Sequence, residues 1–204
     1  MAGSISDVSV ITISDEVAAS TTFVAAAARP DTAFTIANSS FASGGARNVT
    51  VTTSGTGDNA KTVTVVGTDV FGDALTEVIT STGSAETVAG TKLFKTITSA
   101  TCSAQYAANA SVGSGTLAAQ AVLGVASRGR LKGFSIVSGG TAGVVNFYDG
   151  APEDGTILLK SRTIGTDNTT IDRTIPQNGV LFSTGIVLQY TIGTVDMMTI
   201  FHAS

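Results

Sequence analysis

Apolar and polar residues alternate in short runs along most of this chain, the period-2 pattern of strands that bury one face. In "NVTVTT" (Asn48–Thr53), Val49 and Val51 fall on one face and Thr50 and Thr52 on the other. The link "SGTGDNA" carries Gly55, Gly57, Asp58 and Asn59, residue types that accept positive φ or cap turns. "KTVTVVG" resumes with Val63 and Val65 in step, so the two runs read as a hairpin whose loop is longer than the tightest type. "TDVFGD" supplies the next turn and "ALTEVITST" the next strand. Further on, "KLFKTITSATC" sets Leu93, Lys95 and Ile97 against Phe94, Thr96 and Thr98. Short strands punctuated by Gly- and Asp-bearing turns predict an antiparallel sandwich or barrel, not βαβ units.

Helical cues are few. "SDEVAASTTFVAAAARP" (Ser14–Pro30) offers a capping residue, acids in a first turn and a terminal Arg-Pro, but Thr21, Thr22, Phe23 and Val24 favour extension. "TLAAQAVLGVA" (Thr116–Ala126) has the composition for one or two helical turns, with Gly124 as the stop. A boundary is expected between Gly124 and Arg128. Beyond it "RLKGFSIVSGGTAGVVNFYDG" joins two apolar runs through a Gly-rich turn, and "GTILLKSRTIG", "TTIDRTIPQNG", "VLFSTGIVLQYTI" and "VDMMTIFHA" follow. "PQNG" (Pro176–Gly179) is a turn signal, with Asn-Gly suited to left-handed dihedrals. The expected organisation is all-β with little helix: two small antiparallel sandwich or jelly-roll-like domains in series. The first spans residues 1–124, with an N-terminal arm over 1–45, and the second spans 125–204.

Composition adds a constraint on partners. The chain has 204 residues, enough for one large or two small cores, and only 13% are charged, against about 25% in ordinary globular domains. Its solubility rests on Thr, Ser, Asn and Gly. Burying neutral hydroxyls costs far less than burying charges, so such a surface suits a protein packed against neighbours. A net charge of −4 argues against nucleic-acid binding, which needs a basic footprint. The local exception is "SRGRLKG", where alternation would place Arg128, Arg130 and Lys132 on one strand face, either as a solvated face or as a contact for an acidic protein surface. "MAGSISDVSV" lacks the basic and apolar regions of a secretory signal, and "FVAAAA" (Phe23–Ala28) is too short to span a membrane.

Residues able to do chemistry are scarce. The single histidine, His202 in "TIFHAS", would have to serve any Ser-His-Asp or Cys-His site, and "LFSTG" does not match a nucleophile elbow. It reads as a surface or interface residue, and no enzymatic activity, catalytic residue or cofactor is expected. Cys102, the only cysteine, lies in an alternating run and reads as a small buried hydrophobe. One Cys and one His make a structural zinc site unpromising, and no metal site is assigned. "YDGAPEDG" groups Asp149, Glu153 and Asp154 around turn residues without EF-hand spacing, as an acidic hairpin tip would. "SVGSGTLAAQ" contains Gly113-x-Gly115-x-x-Ala118, the outline of a dinucleotide fingerprint without its βαβ context. Four Asn-x-Ser/Thr triplets, at Asn38, Asn48, Asn109 and Asn168, are expected by chance in so Thr-rich a chain. Tyr106, Tyr148 and Tyr190 are scattered and Trp is absent, so no stacking platform stands out.

Taken together, "GGARNVTVTTSG", "KTVTVVGTDVFGDALTEVI", "TVAGTKLFKTITSATC" and "SVGSGT" resemble a pattern in virion structural proteins of tailed bacteriophages. In that pattern an Arg-x-Val-Thr-Val strand opens a small β-domain. A Gly-x-Asp-x-Phe-Gly-(Asn/Asp)-x-Leu-Thr-Glu segment crosses it, here Gly67, Asp69, Phe71, Gly72, Asp73, Leu75, Thr76 and Glu77. A Gly-x-Lys-x-Phe-Lys-x-(Val/Ile)-Thr-Ser strand follows, here Gly90, Lys92, Phe94, Lys95, Ile97, Thr98 and Ser99. The resemblance covers roughly residues 40–120; the second half shares only the texture of virion β-modules. It implies a protein made in the host cytoplasm and built into the virion, with the major capsid protein or other virion proteins as partners. It further implies a homo-oligomer, a trimer in the case of a cement protein, with neither nucleic acid nor membrane as partner. A head decoration or cement role leads. A neck, adaptor or tail component, and a β-sandwich adhesin or carbohydrate-binding module, stand as the alternatives.

Overall fold

The computed structural model describes residues 8–14, 17–41 and 44–204. Those residues form strands and turns and no helix. The chain divides into two compact units, one formed by Val17–Ala119 and the other by Gln120–Ser204 with the N-terminal strand. The expected division at Gly124, with residues 1–45 as an arm, differs from this in two ways. The division falls inside strand β8 (Ala110–Leu123), between Ala119 and Gln120 and ahead of the expected position, and β1 (Ser9–Ser14) pairs antiparallel with β15 (Val195–Ala203), which joins the first strand to the last.

In the unit Val17–Ala119, β3 (Ala46–Thr53) lies between β6 (Thr87–Phe94) and β8, and β2 (Ser20–Ala28) pairs the other edge of β8. A second sheet has β4 (Thr62–Thr68) between β5 (Ala74–Thr80) and β7 (Thr96–Cys102). The alternating valines do what their spacing predicts. Val49 and Val51 of β3 and Val63 and Val65 of β4 are buried in one cluster with Phe94, Ile97 and Tyr106. A strand face must be covered by something apolar, and here each sheet covers the other. The expected hairpin partners differ, since β3 pairs β6 and β8 while β4 pairs β5 and β7.

The two segments with helical cues are strands. Ser20–Ala28 pairs β8, with Val24 and Ala25 buried, and Asp15 and Glu16 of the supposed first turn lie outside the described residues. Thr116–Leu123 is the end of β8, whose earlier residues run buried between β3 and β2. Pairing on both edges satisfies the backbone more fully than a short Ala-rich helix could, so tertiary context overrides local propensity.

In the second unit one sheet runs β1, β15, β9 (Gly129–Ser138) and β12 (Thr169–Thr174), with β13 (Val180–Phe182) also on β9. The other has β10 (Ala142–Asp149) between β11 (Thr156–Ile164) and β14 (Ile186–Thr191). The rings of Phe134 on β9 and Phe147 on β10 meet at 4.9 Å, so these sheets also face one another. All-β and sandwich-like therefore describes the chain.

Candidate interaction surface

Of the residues that carry the virion-protein pattern, Gly67, Asp69, Leu75, Gly90, Phe94 and Ile97 are buried, while Gly72, Asp73, Thr76 and Thr98 are exposed. Asp69 ends β4 and accepts hydrogen bonds from the amides of Phe71, Gly72 and Asp73, each 2.9 Å, while Gly72 takes the left-handed φ of 99° that the turn needs. Glu77 of β5 accepts from the amide and hydroxyl of Thr91 and from the amide of Lys92, and Lys92 Nζ donates to the Thr76 carbonyl. At Gly90 a Cβ would stand 2.3 Å from Glu77 Oε2, so a larger residue would displace that carboxylate from its donors. At Gly67 a Cβ would lie 1.9 Å from the Thr96 carbonyl oxygen, at the register shift between β4 and β7. These residues lock turns and sheet edges to one another, and their groups are used up in doing so.

Other sequence candidates prove structural on inspection of their partners. Gly113 and Gly115 lie within β8. A Cβ on Gly113 would meet the Ser20 carbonyl, and one on Gly115 would meet the Asn48 carboxamide. Asn48 spans the sheet, donating to the Gly90 carbonyl and accepting from the Leu117 amide, and it is buried. Asn38, Asn109 and Asn168 are exposed. Asp149 accepts from the amides of Ser183 and Thr184 and the Thr184 hydroxyl. Burial opposes its charge, but these donors and the Gly185 amide outweigh it and hold its carboxyl below the usual range. Among the described residues no group of three His, Cys, Asp or Glu side chains is placed to hold a metal ion. Arg130 and Lys132 do share a face of β9, and both donate to the Asn178 carbonyl, while Arg128 lies before the strand. In the Pro176–Gly179 turn the left-handed residues are Gln177 and Gly179 rather than Asn178.

His202 is not the surface residue its position suggested. It lies on β15 opposite Ser9, buried, and its Nδ1 has no hydrogen-bond partner among the described residues. Burial lowers its pKa, so the neutral ring is favoured. Cys102 is half-buried against the core of its own unit, and burial pushes its thiol up to about 11. Two residues that the sequence reading passed over matter more. Arg47 is buried, with Nε and Nη2 on the Gly115 carbonyl, Nη1 on Val17 O at 2.7 Å and its guanidinium 5.9 Å from the Phe41 ring centre. Asp58, read as a turn former, is covered by its surroundings and holds Lys61 Nζ at 2.9 Å and the Ala107 amide at 2.6 Å. Burial opposes its charge, and the Lys61 ammonium with the Ala107 and Ala108 amides reverses the balance and lowers its pKa. Nothing in the alternation distinguishes either residue, because backbone groups far along the chain, the Gly115 carbonyl for Arg47 and the Ala107 amide for Asp58, help to hold them.

What remains exposed is a sheet face. Register pairs Val10 with Phe201, Thr12 with Thr199 and Ser14 with Met197, and these point away from the core because Ile13, Met198 and Ile200 point into it. Val10 is 57% exposed, Met197 42% and Phe201 36%. The face continues onto Ser135 and Val137 of β9 and Thr170, Asp172 and Thr174 of β12. Asp172 is the one ionisable side chain among those named. β1 forms its rim, pairing β15 on one side and no described strand on the other.

Comparison of the chain with protein-family models, with curated proteins and with solved structures returns no match in any of the three.

Proposed function

We propose that the chain is a structural protein of a tailed-phage virion, a head decoration or cement protein that stabilises the shell through contacts with the major capsid protein. The observation that carries this reading is the outer face of the β1–β15–β9–β12 sheet, with Val10, Met197 and Phe201 exposed among hydroxyl side chains and with Lys132, Asp172 and Arg173 gathered at its β9–β12 end. Such a face loses little hydration on contact and gains on the order of 25 cal/mol for each Å² of apolar surface covered. An open β1 edge beside it offers unpaired amides and carbonyls to a neighbouring chain. The resemblance of residues 40–120 to virion proteins supports the same reading, as does the low share of charge. A closed homotrimer would use head-to-tail contacts between two different patches and leave no open end.

Binding of the purified chain to shells that lack it, followed by heating, tests the proposal. Shells carrying it are expected to release their genome at a higher temperature. Replacing Val10 and Phe201 together by Lys, both exposed and therefore tolerated by the fold, should abolish binding. Unaltered binding by that variant, or unaltered shell stability with the native chain bound, would count against the proposal. Copy number in purified particles distinguishes a shell protein from a neck or tail component.

A further inference from the structure

Besides the β1 edge, the second unit has another open side. There the edge strands β11 and β12 come from opposite sheets, joined by the turn over residues 165–168, and neither pairs a further described strand. Between them lies a cleft of about 420 Å³ with Phe134, Leu159, Ile171, Ile175 and Pro176 along its apolar walls. Arg173 projects into it from β12, and Lys160 and Arg162 stand on the β11 side. No carboxylate lines the cleft, and none of the three cations has a carboxylate partner among the described residues. Arg173 Nη1 donates to its own neighbour's carbonyl, that of Asp172.

We propose that this cleft is a binding site for an extended peptide segment of another protein, apolar at alternate positions and carrying an Asp or Glu opposite Arg173. The backbone supplies the first half of the argument. The Ile175 amide donates to the Lys132 carbonyl, so by the alternation of an antiparallel ladder Thr170, Asp172 and Thr174 turn their amides and carbonyls to the open edge. A strand added there continues the sheet, and every second side chain enters the cleft. Charge supplies the other half. An arginine pointing inward from an edge strand disfavours an uncharged strand, which would bury it unpaired, and disfavours a second copy's β12, which would bring a second Arg173 against it. A carboxylate at the cross-strand position removes that penalty, with Lys160 and Arg162 adding to the positive field. Arg173 therefore both guards the edge and selects its occupant. The inference rests on the cleft alone and stands whether or not the chain belongs to a virion.

The test uses the full chain and three synthetic peptides of alternating valine and threonine, with a central glutamate, glutamine or lysine. Fluorescence anisotropy should show saturable binding of the glutamate peptide, at least about tenfold tighter than the glutamine peptide, weakening as salt rises. Backbone hydrogen exchange should slow at Thr170, Asp172 and Thr174 on binding. Arg173→Glu, an exposed change expected to leave the fold intact by circular dichroism, should reverse the preference towards the lysine peptide. Equal binding of the three peptides, protection on β1 in place of β12, no saturable binding, or an unchanged preference in Arg173→Glu would each overturn the proposal.

Discussion

Asp58, Asp69, Glu77 and Arg47, all in the unit Val17–Ala119, end on partners within that unit, most of them backbone amides or carbonyls. Lys160, Arg162 and Arg173 of the other unit line an open cleft, and Val10 and Phe201 lie bare on its outer sheet. The first unit has the sequence pattern that stands out; the second has only alternation and glycine. The contrast teaches that a recognisable motif in a β-protein can be architecture, since residues that fix a turn or bridge two sheets are constrained in type and spacing. Contact surfaces ask less of each position. An exposed Thr or Val on a sheet face leaves no signature a reader of sequence could single out.

The sharpest way to break this comparison is at glycine. Gly67→Ala puts a Cβ on the Thr96 carbonyl, backbone against backbone, and should cost about 3 kcal/mol or more in urea unfolding. Gly140→Ala in the other unit meets nothing within 4 Å and should stay within about 0.5 kcal/mol. Equal costs would mean that the first unit is no more tightly constrained than the second. A smaller effect comes from charge. Lys61→Met leaves Asp58 covered and unpaired, a loss of about 2 kcal/mol, whereas Lys160→Met should be close to neutral. Asp69→Ala removes the acceptor of three amides and should cost about 1–2 kcal/mol, with Asp69→Asn recovering part of it through its remaining oxygen.

Much of the fold was legible because period-2 burial leaves a direct trace. Val49, Val51, Val63 and Val65 could be assigned to a core before any coordinates, and so could the Asp69–Asp73 turn. Pairing was not legible: β3 and β4 are adjacent in sequence and lie in different sheets, since alternation says which face is buried and nothing about which strand lies alongside. The swap that places β1 on β15 has the same origin, because contacts between the two ends of a chain leave no local pattern. Glycines 113 and 115 show the opposite case, a familiar outline already lacking its context in the sequence. Their spacing suggested a phosphate loop, while the reason for them is the close approach of β2 and Asn48. The exposed apolar face of β1 and β15 was visible only as a shortage of charge across the whole chain, which cannot be assigned to a face until the register is known.

The mildest prediction concerns pH and again separates the two units. Asp58 and Asp149, one in each, have carboxyl pKa values lowered in the folded state. Their contributions are present above the unfolded value of about 4 and fade as pH falls through the lower folded values, so both units should share an acid limb there. His202 behaves differently and belongs to one unit only. Its folded pKa is also lowered, but for a base this means that the unfolded chain takes up a proton first as pH falls below about 6.5. Stability of the His202 unit should therefore decline between about pH 6.5 and 5, where the Asp58 unit is still level. Protection factors of amides on β9 and β15, that is exchange relative to the intrinsic rate at each pH, should fall over that interval, while exchange on β4 and alkylation of Cys102, slow because its thiol is half-buried with a pKa near 11, should follow only their intrinsic pH dependence. His202→Leu should remove the slope in the second unit and leave the unit Val17–Ala119 untouched. A slope that persists in the variant would show that another group is titrating and that the buried ring is not what distinguishes the two units at mildly acidic pH.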